Sequence, residues 1–234
     1  MKTVILAGGY GTRISEETED KPKPMVLLDE RPILWHVMNI FANQGFSSFI
    51  IATGYKGEVI HDWVKRLETS WDITALDTGL STPTGGRIKQ CMEFVGPHRV
   101  FATYGDGLGN INLDTLLNFH IQQGRSATVT AVRPPARFGL LESSNGKVTS
   151  FTEKNQAQAG WINGGFFVLE PQVKDYIFND NEPFETGAMP RLVSESQLSA
   201  YHHDDFWQPM DTLREKRELA KMAMLENPPW LADI

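Results

Sequence analysis

The stretch "VILAGGYGTR", residues 4–13, runs from three consecutive branched apolar residues into a loop with three glycines and an arginine directly behind them. Val4-Ile5-Leu6 reads as a buried strand, β-branched and bounded by glycine. Glycine lets backbone turn sharply and approach a ligand closely, and the N–H groups it exposes cradle anions. An arginine fork adds donors suited to phosphate oxygens. A strand followed by a phosphate-binding loop is the expectation, carried by Gly8, Gly9, Gly11 and Arg13. Gly9-x-Gly11 partly imitates a dinucleotide fingerprint, and Asp29 stands near the distance of a ribose-binding acid. Ile14 occupies the third glycine position, however, and no Gly-Lys-Ser/Thr follows. Both a dehydrogenase loop and a Walker loop are thereby disfavoured.

Outward from this loop, short apolar runs alternate with amphipathic ones. "TVILAG", "SFIIATG", "VFATYGDG", "ATVTAV" and "GGFFVLE" read as buried strands. "PILWHVMNIFANQG" has helical spacing and stops at Gly45. "GEVIHDWVKRLE" and "LDTLLNFHIQQG" behave alike, the second capped at its start by Asp114 or Asn112 and ended by Gly124. Such alternation predicts an α/β fold, a mainly parallel Rossmann-like sheet with helices on both faces. In such sheets ligands gather beyond the carboxyl ends of strands, where the glycine loop and "YGDG" both fall. "PPARFGLLESSNGKVTSFTEKN" departs from the pattern, with a turn at Asn145-Gly146 between two extended pieces. It predicts a small β-hairpin excursion. "MDTLREKRELAKMAMLEN" predicts a last helix, stopped by Pro228-Pro229. With no repeat, low-complexity tract or linker, residues 1–234 are expected to form a single domain.

Bulk properties narrow the function classes. The chain has 234 residues, is 41% hydrophobic and carries a formal net charge of −7. That balance argues against disorder and against a nonspecific nucleic-acid or membrane-surface binder. An acidic protein that binds phosphates must do so with a few placed cations or a metal. The single cysteine, Cys91, gives no disulfide framework and reads as a small buried hydrophobe. The N-terminal apolar run is too short for a signal peptide and no run reaches transmembrane length, so a cytoplasmic protein is expected.

Four further features carry chemistry. "KPKPM", residues 21–25, sets two lysines among prolines on what reads as a stiff extended segment. Lys21 is expected in solvent and Lys23 on a phosphate. "YGDG" places Asp106 between glycines at a strand end, and "FWQPMDT" places Asp211 just before the last helix. The two carboxylates suit Mg²⁺, which takes one or two carboxylates together with substrate phosphates. The competing reading of Asp211, a plain helix cap shared with Thr212, predicts no role in chemistry. Lys154 suits either a second phosphate or a surface ion pair, and Asn163-Gly164-Gly165 either a tight turn or a dock for a polyhydroxylated ligand. His61, His202 and His203 lack metal-like spacing with cysteine.

Taken in order, "ILAGGYGTR", "KPKPM", "YGDG", "FTEK", "NGGFFVL" and "FWQPMDT" resemble the sugar-1-phosphate nucleotidylyltransferases, over nearly the whole chain. "SEET", "GYKG", "TGGR" and "FWQPMDTLR" resemble the cytidylyltransferases among them. This resemblance implies that CTP and an α-D-sugar 1-phosphate, glucose first, give a CDP-sugar and pyrophosphate. It implies that Leu6, Gly8, Gly9, Gly11, Thr12 and Arg13 hold the nucleotide, with Arg13 and Lys23 catalytic. Gly85 and Gly86 would border the base. Asp106 and Asp211 would hold Mg²⁺, with Asp106 also beside the nucleotide, and Lys154, Asn163 and Gly164 would take the sugar phosphate. A homo-oligomer is also implied. Two departures stand out: the chain is shortened between Gly57 and Asp77, and Asn155 replaces the usual proline after Lys154. The rival readings are the same chemistry on another acceptor or nucleotide, a nucleotide-binding regulatory module without turnover, and, more distantly, the dehydrogenase.

Overall fold

In the computed structural model, which describes residues 1–134, 140–152 and 160–232, the opening apolar run becomes β1 (Lys2–Leu6). A two-stranded ribbon, β2 (Leu27–Leu28) and β3 (Arg31–Pro32), leads into α1 (Ile33–Ala42). Then come β4 (Ser48–Thr53), α2 (Gly57–Arg66), β5 (Asp72–Asp77) and α3 (Thr84–Val95). β6 (Val100–Tyr104), β7 (Gly107–Gly109), α4 (Leu113–Gln123) and β8 (Ala127–Val132) follow. Beyond them lie a hairpin of β9 (Leu140–Ser144) and β10 (Lys147–Thr152), then β11 (Ile162–Asn163) and β12 (Phe167–Leu169). α5 (Ala188–Ser194), β13 (Leu198–His203), β14 (Trp207–Pro209) and α6 (Leu213–Ala223) complete the order.

Among the described residues, eight strands form the main sheet. β1 pairs parallel with β4 on one side and β6 on the other, and β5 extends the β4 edge. β12 lies antiparallel between β6 and β8, and β13 pairs parallel with β8. β11 also pairs antiparallel with β8, but its register is offset by two residues from that of β12. The offset falls at Gly164-Gly165, where Gly165 has φ +74°. Alternate side chains serve opposite faces, as the two-residue period of a strand requires. Ile5, Phe49, Ile51 and Val168 join α1, α2, α4 and α6 in one core. Val4, Ile50, Ala52 and Phe167 join α3 and α5 in the other. The expected α/β sheet with helices on both faces is what forms. Cys91 lies in the second core, where burial pushes its thiol up to about 12.

The chain steps from β1 outward to β4 and β5, then returns through α3 to β6 on the far side of β1. The order therefore reverses between β1 and β6, and a crevice opens beyond their carboxyl ends. The hairpin turns at Asn145 (φ 51°) and Gly146 (φ 77°), as an Asn-Gly pair favours. Asn112, not Asp114, caps α4: its side chain accepts the Thr115 N–H at 2.8 Å, and left-handed Gly124 ends the helix. α1 ends at Ala42, three residues before left-handed Gly45, and α6 ends well before Pro228.

His120, 1% exposed, lies between Thr128 Oγ1 (2.8 Å) and Glu170 Oε1 (3.1 Å). Burial holds its imidazole below the ordinary 6.5, although Glu170 pulls the other way. Just below that pH the unfolded chain takes up a proton that the folded one refuses, so stability falls as pH drops from about 7. Urea midpoints at pH 7.5 and 5 should show this fall, with a smaller one in His120→Gln; identical falls would clear His120 of the effect.

Candidate active site

Beyond β1 the chain turns through Ala7–Gly11 into a 3-10 turn, Thr12–Glu17. Gly11 has φ +65°, and a Cβ there would stand 2.9 Å from Lys23 Cβ. A Cβ on Gly8 would stand 2.1 Å from Arg87 Nη1. The two glycines therefore let the loop lie directly on a lysine and an arginine. Lys23 opens its own 3-10 turn, Lys23–Met25, behind extended Pro22. The expectation of an extended segment is corrected to this extent: only the approach through Pro22 is extended. Pro24 fixes the second position of the turn, so the stiffness is kept.

The two carboxylates meet through a ribbon. β7 pairs antiparallel with β14, setting Gly107 opposite Pro209, and the Met210 N–H donates to Asp106 O at 2.9 Å. Asp106 and Asp211 thus arrive side by side. Lys23 Nζ donates to Asp106 Oδ2 at 2.5 Å and to Asp211 Oδ1 at 2.8 Å, and Arg13 Nη1 reaches Asp211 Oδ2 at 2.9 Å. Burial opposes the charge on Lys23, but the two carboxylates outweigh it and lift the ammonium above its usual value. Burial likewise opposes the Asp211 charge, and Lys23 and Arg13 outweigh it, keeping that carboxyl below its ordinary range. Asp211 is not the cap of α6. Thr212 Oγ1 accepts the Glu215 N–H at 3.2 Å, while Glu215 Oε2 accepts the Asp211 N–H at 2.8 Å. The Asp211 side chain is left to the cations. Lys216 joins Glu17 at 2.6 Å, tying α6 to the turn that carries Arg13.

These groups border a cleft of about 390 Å³. Leu6, Gly8, Gly9, Gly11, Thr12, Arg13, Lys23, Asp106 and Asp211 all line it. Thr82, Pro83 and Thr84, at the amino end of α3, form the facing wall. A helix start there favours an anion. Gly85 and Gly86 follow Thr84 directly in the first turn of α3 but pack on another segment instead of lining the cleft: a Cβ would come 2.5 Å from Glu182 O and 2.2 Å from Asp180 O respectively.

Arg87 was not foreseen. Only 4% exposed, it donates to Gly8 O (3.0 Å), Thr53 O (2.6 Å), Thr78 Oγ1 (2.6 Å) and Leu80 O (3.4 Å). It bolts together the loops that follow β1 and β5 and the carboxyl end of β4. A second unforeseen set runs from the cleft wall toward Asn163. Thr84 Oγ1 and the Tyr104 hydroxyl each donate to Glu185 at 2.6 Å, and Asn163 Nδ2 donates to the Tyr104 hydroxyl at 3.0 Å. Burial, with Glu185 alongside, pushes the Tyr104 phenol up. Gly164 lies against Val132, where a Cβ would come within 2.6 Å, and its carbonyl accepts the Trp207 indole N–H at 2.8 Å. Lys154 and Asn155 lie outside the described residues. Among the described residues, no group of three or more His, Cys, Asp or Glu side chains is placed to hold a metal, and no helix is long and apolar enough to cross a membrane.

The crevice at the strand-order reversal is thus walled by a glycine loop and a helix start, with paired cations and carboxylates along it, and is the candidate active site. Residues 2–215 match the nucleotidyl transferase family, and the chain belongs to it. It is 43% identical to a glucose-1-phosphate cytidylyltransferase of Salmonella typhi over 254 aligned positions, covering 98% of each chain. A probable glucose-1-phosphate cytidylyltransferase of Bacillus subtilis is 41% identical, covering 98% of this chain and 99% of that one. Among solved structures, HddC from Yersinia pseudotuberculosis superposes with a TM-score of 0.73 at 22% identity, over 94% of this chain and 98% of that one.

Proposed function

We propose that this protein transfers the cytidylyl group of CTP to a sugar 1-phosphate, α-D-glucose 1-phosphate first, releasing pyrophosphate. An oxygen of the sugar phosphate attacks the α-phosphorus in line, and the bond from that phosphorus to the pyrophosphate oxygen breaks. Such chemistry asks for alignment and charge neutralisation more than for a protein nucleophile. The observation that carries the reading is the meeting of Lys23, Arg13, Asp106 and Asp211 at the cleft floor, in a chain 43% identical to a glucose-1-phosphate cytidylyltransferase.

Lys23, buried and held by its turn, is placed to neutralise charge at the reacting phosphate. Arg13, paired with Asp211 but with a side chain 74% exposed, would turn to the leaving phosphates. Leu6, Gly8, Gly9, Gly11 and Thr12 offer backbone to the nucleotide, with Gly85 and Gly86 behind the wall proposed for the base. Asp106 and Asp211 fit Mg²⁺: their oxygens are hard donors, and with two carboxylates the remaining ligands fall to phosphates and water. Bound there, Mg²⁺ would supply further neutralisation of the triphosphate. Asn163, Gly164 and Lys154 are proposed for the acceptor, Asn163 being fixed by Tyr104.

A pyrophosphate-release assay across four nucleoside triphosphates and a panel of sugar and non-sugar phosphates tests this reading. The highest specificity constant is expected for CTP with a hexose 1-phosphate. A higher value with UTP or dTTP would overturn the choice of base. Tight nucleotide binding with no turnover on any acceptor would favour the regulatory module.

A further inference from the structure

The two carboxylates assigned above to a metal already share a cation. Lys23 Nζ bridges them at 2.5 and 2.8 Å, and Arg13 takes the second oxygen of Asp211 at 2.9 Å. Two positive and two negative groups close on one another, so the cluster offers a dication no net attraction. A metal entering between Asp106 and Asp211 would also meet an ammonium at contact distance, a repulsion weakly screened where the lysine side chain is only 11% exposed. The backbone of Lys23 is stiffened between Pro22 and Pro24, with Gly11 packed close enough that a Cβ there would clash. Its four-carbon stem with three rotatable donors can swing, once other oxygens are offered.

We propose that Lys23 is a placeholder cation: it holds Asp106 and Asp211 together until a triphosphate arrives, then passes to phosphate oxygens and yields the carboxylates to the metal. Divalent metal therefore loads with or after the nucleotide, not before it. The inference rests on reading Asp106 and Asp211 as metal ligands.

Mn²⁺ titration followed by electron paramagnetic resonance tests it without turnover. Wild-type protein alone should bind Mn²⁺ weakly, and Lys23→Met should bind it more than roughly tenfold tighter. Adding Asp106→Asn or Asp211→Asn to Lys23→Met should erase the gain. Lys23→Gln, neutral but still able to hydrogen-bond one carboxylate, gives the same readout should the methionine variant not fold. Equal affinity in wild type and the neutral variants overturns the proposal. A parallel titration with a non-hydrolysable CTP analogue separates the two ideas. If Asp106→Asn and Asp211→Asn weaken Mn²⁺ binding there while the neutral Lys23 variants gain nothing alone, the ligand reading stands and the placeholder falls. If the aspartate variants have no effect in that complex, both fall.

Discussion

Lys23→Ala should lower turnover by roughly 10²–10³-fold, the cost of losing one preorganised electrostatic contact to a transition state. The lysine is held at a proline-flanked turn, and its ammonium stands against Asp106 and Asp211 at the cleft floor. Little entropy remains to be lost when it meets a phosphate. The fold should survive, because Asp106 and Asp211 are 28% and 23% exposed at their side chains and open to hydration once the lysine is gone. Steady-state kinetics beside a thermal melt separates the outcomes: near-normal kcat would return Lys23 to a purely structural ion pair. Arg13→Ala should act in the same direction with less effect on the melt, its side chain being 74% exposed.

The second large effect is expected at the carboxylates. Asp106→Asn and Asp211→Asn should each lower turnover by about 10²-fold or more and raise the Mg²⁺ concentration required. Asparagine keeps the volume and removes the charge. For Asp211 a capping role makes the opposite forecast, since asparagine caps a helix about as well as aspartate. The observed cap is Thr212, so Thr212→Ala should cost about 1 kcal/mol of stability with catalysis largely kept. A metal titration of the four proteins decides: unchanged Mg²⁺ dependence in Asp211→Asn would leave Asp106 without its partner.

The parts of this fold that could be read in advance were those whose burial matches their composition. β1, β4, β6, β8 and β12 are apolar runs packed on both faces, and each was visible as such. β5 and β13 were not, because they are edge strands that keep polar residues and partial exposure, with Asp72, Asp77 and His202 among the exposed ones. The start of α3 carries Gly85 and Gly86, poor helix formers that weaken its helical signal. They are there because segment 180–184 crosses the helix too closely for a Cβ. At the candidate site, local signals pointed to Gly8, Gly11, Lys23 and Asp106, which line the cleft. Arg87, Tyr104 and Glu185 matter through partners far along the chain, and no local spacing records such contacts.

The bolt formed by Arg87 has a consequence for how the site comes into being. Its acceptors are Gly8, Thr53, Thr78 and Leu80, contributed by two loops and the last residue of β4. The guanidinium that fixes the carbonyl of the glycine loop follows it almost eighty positions along the chain. A nascent chain halted before α3 holds the loop without the means to shape it. The shape of the glycine loop is thus tied to a contact made far along the chain, which closes only when α3 docks.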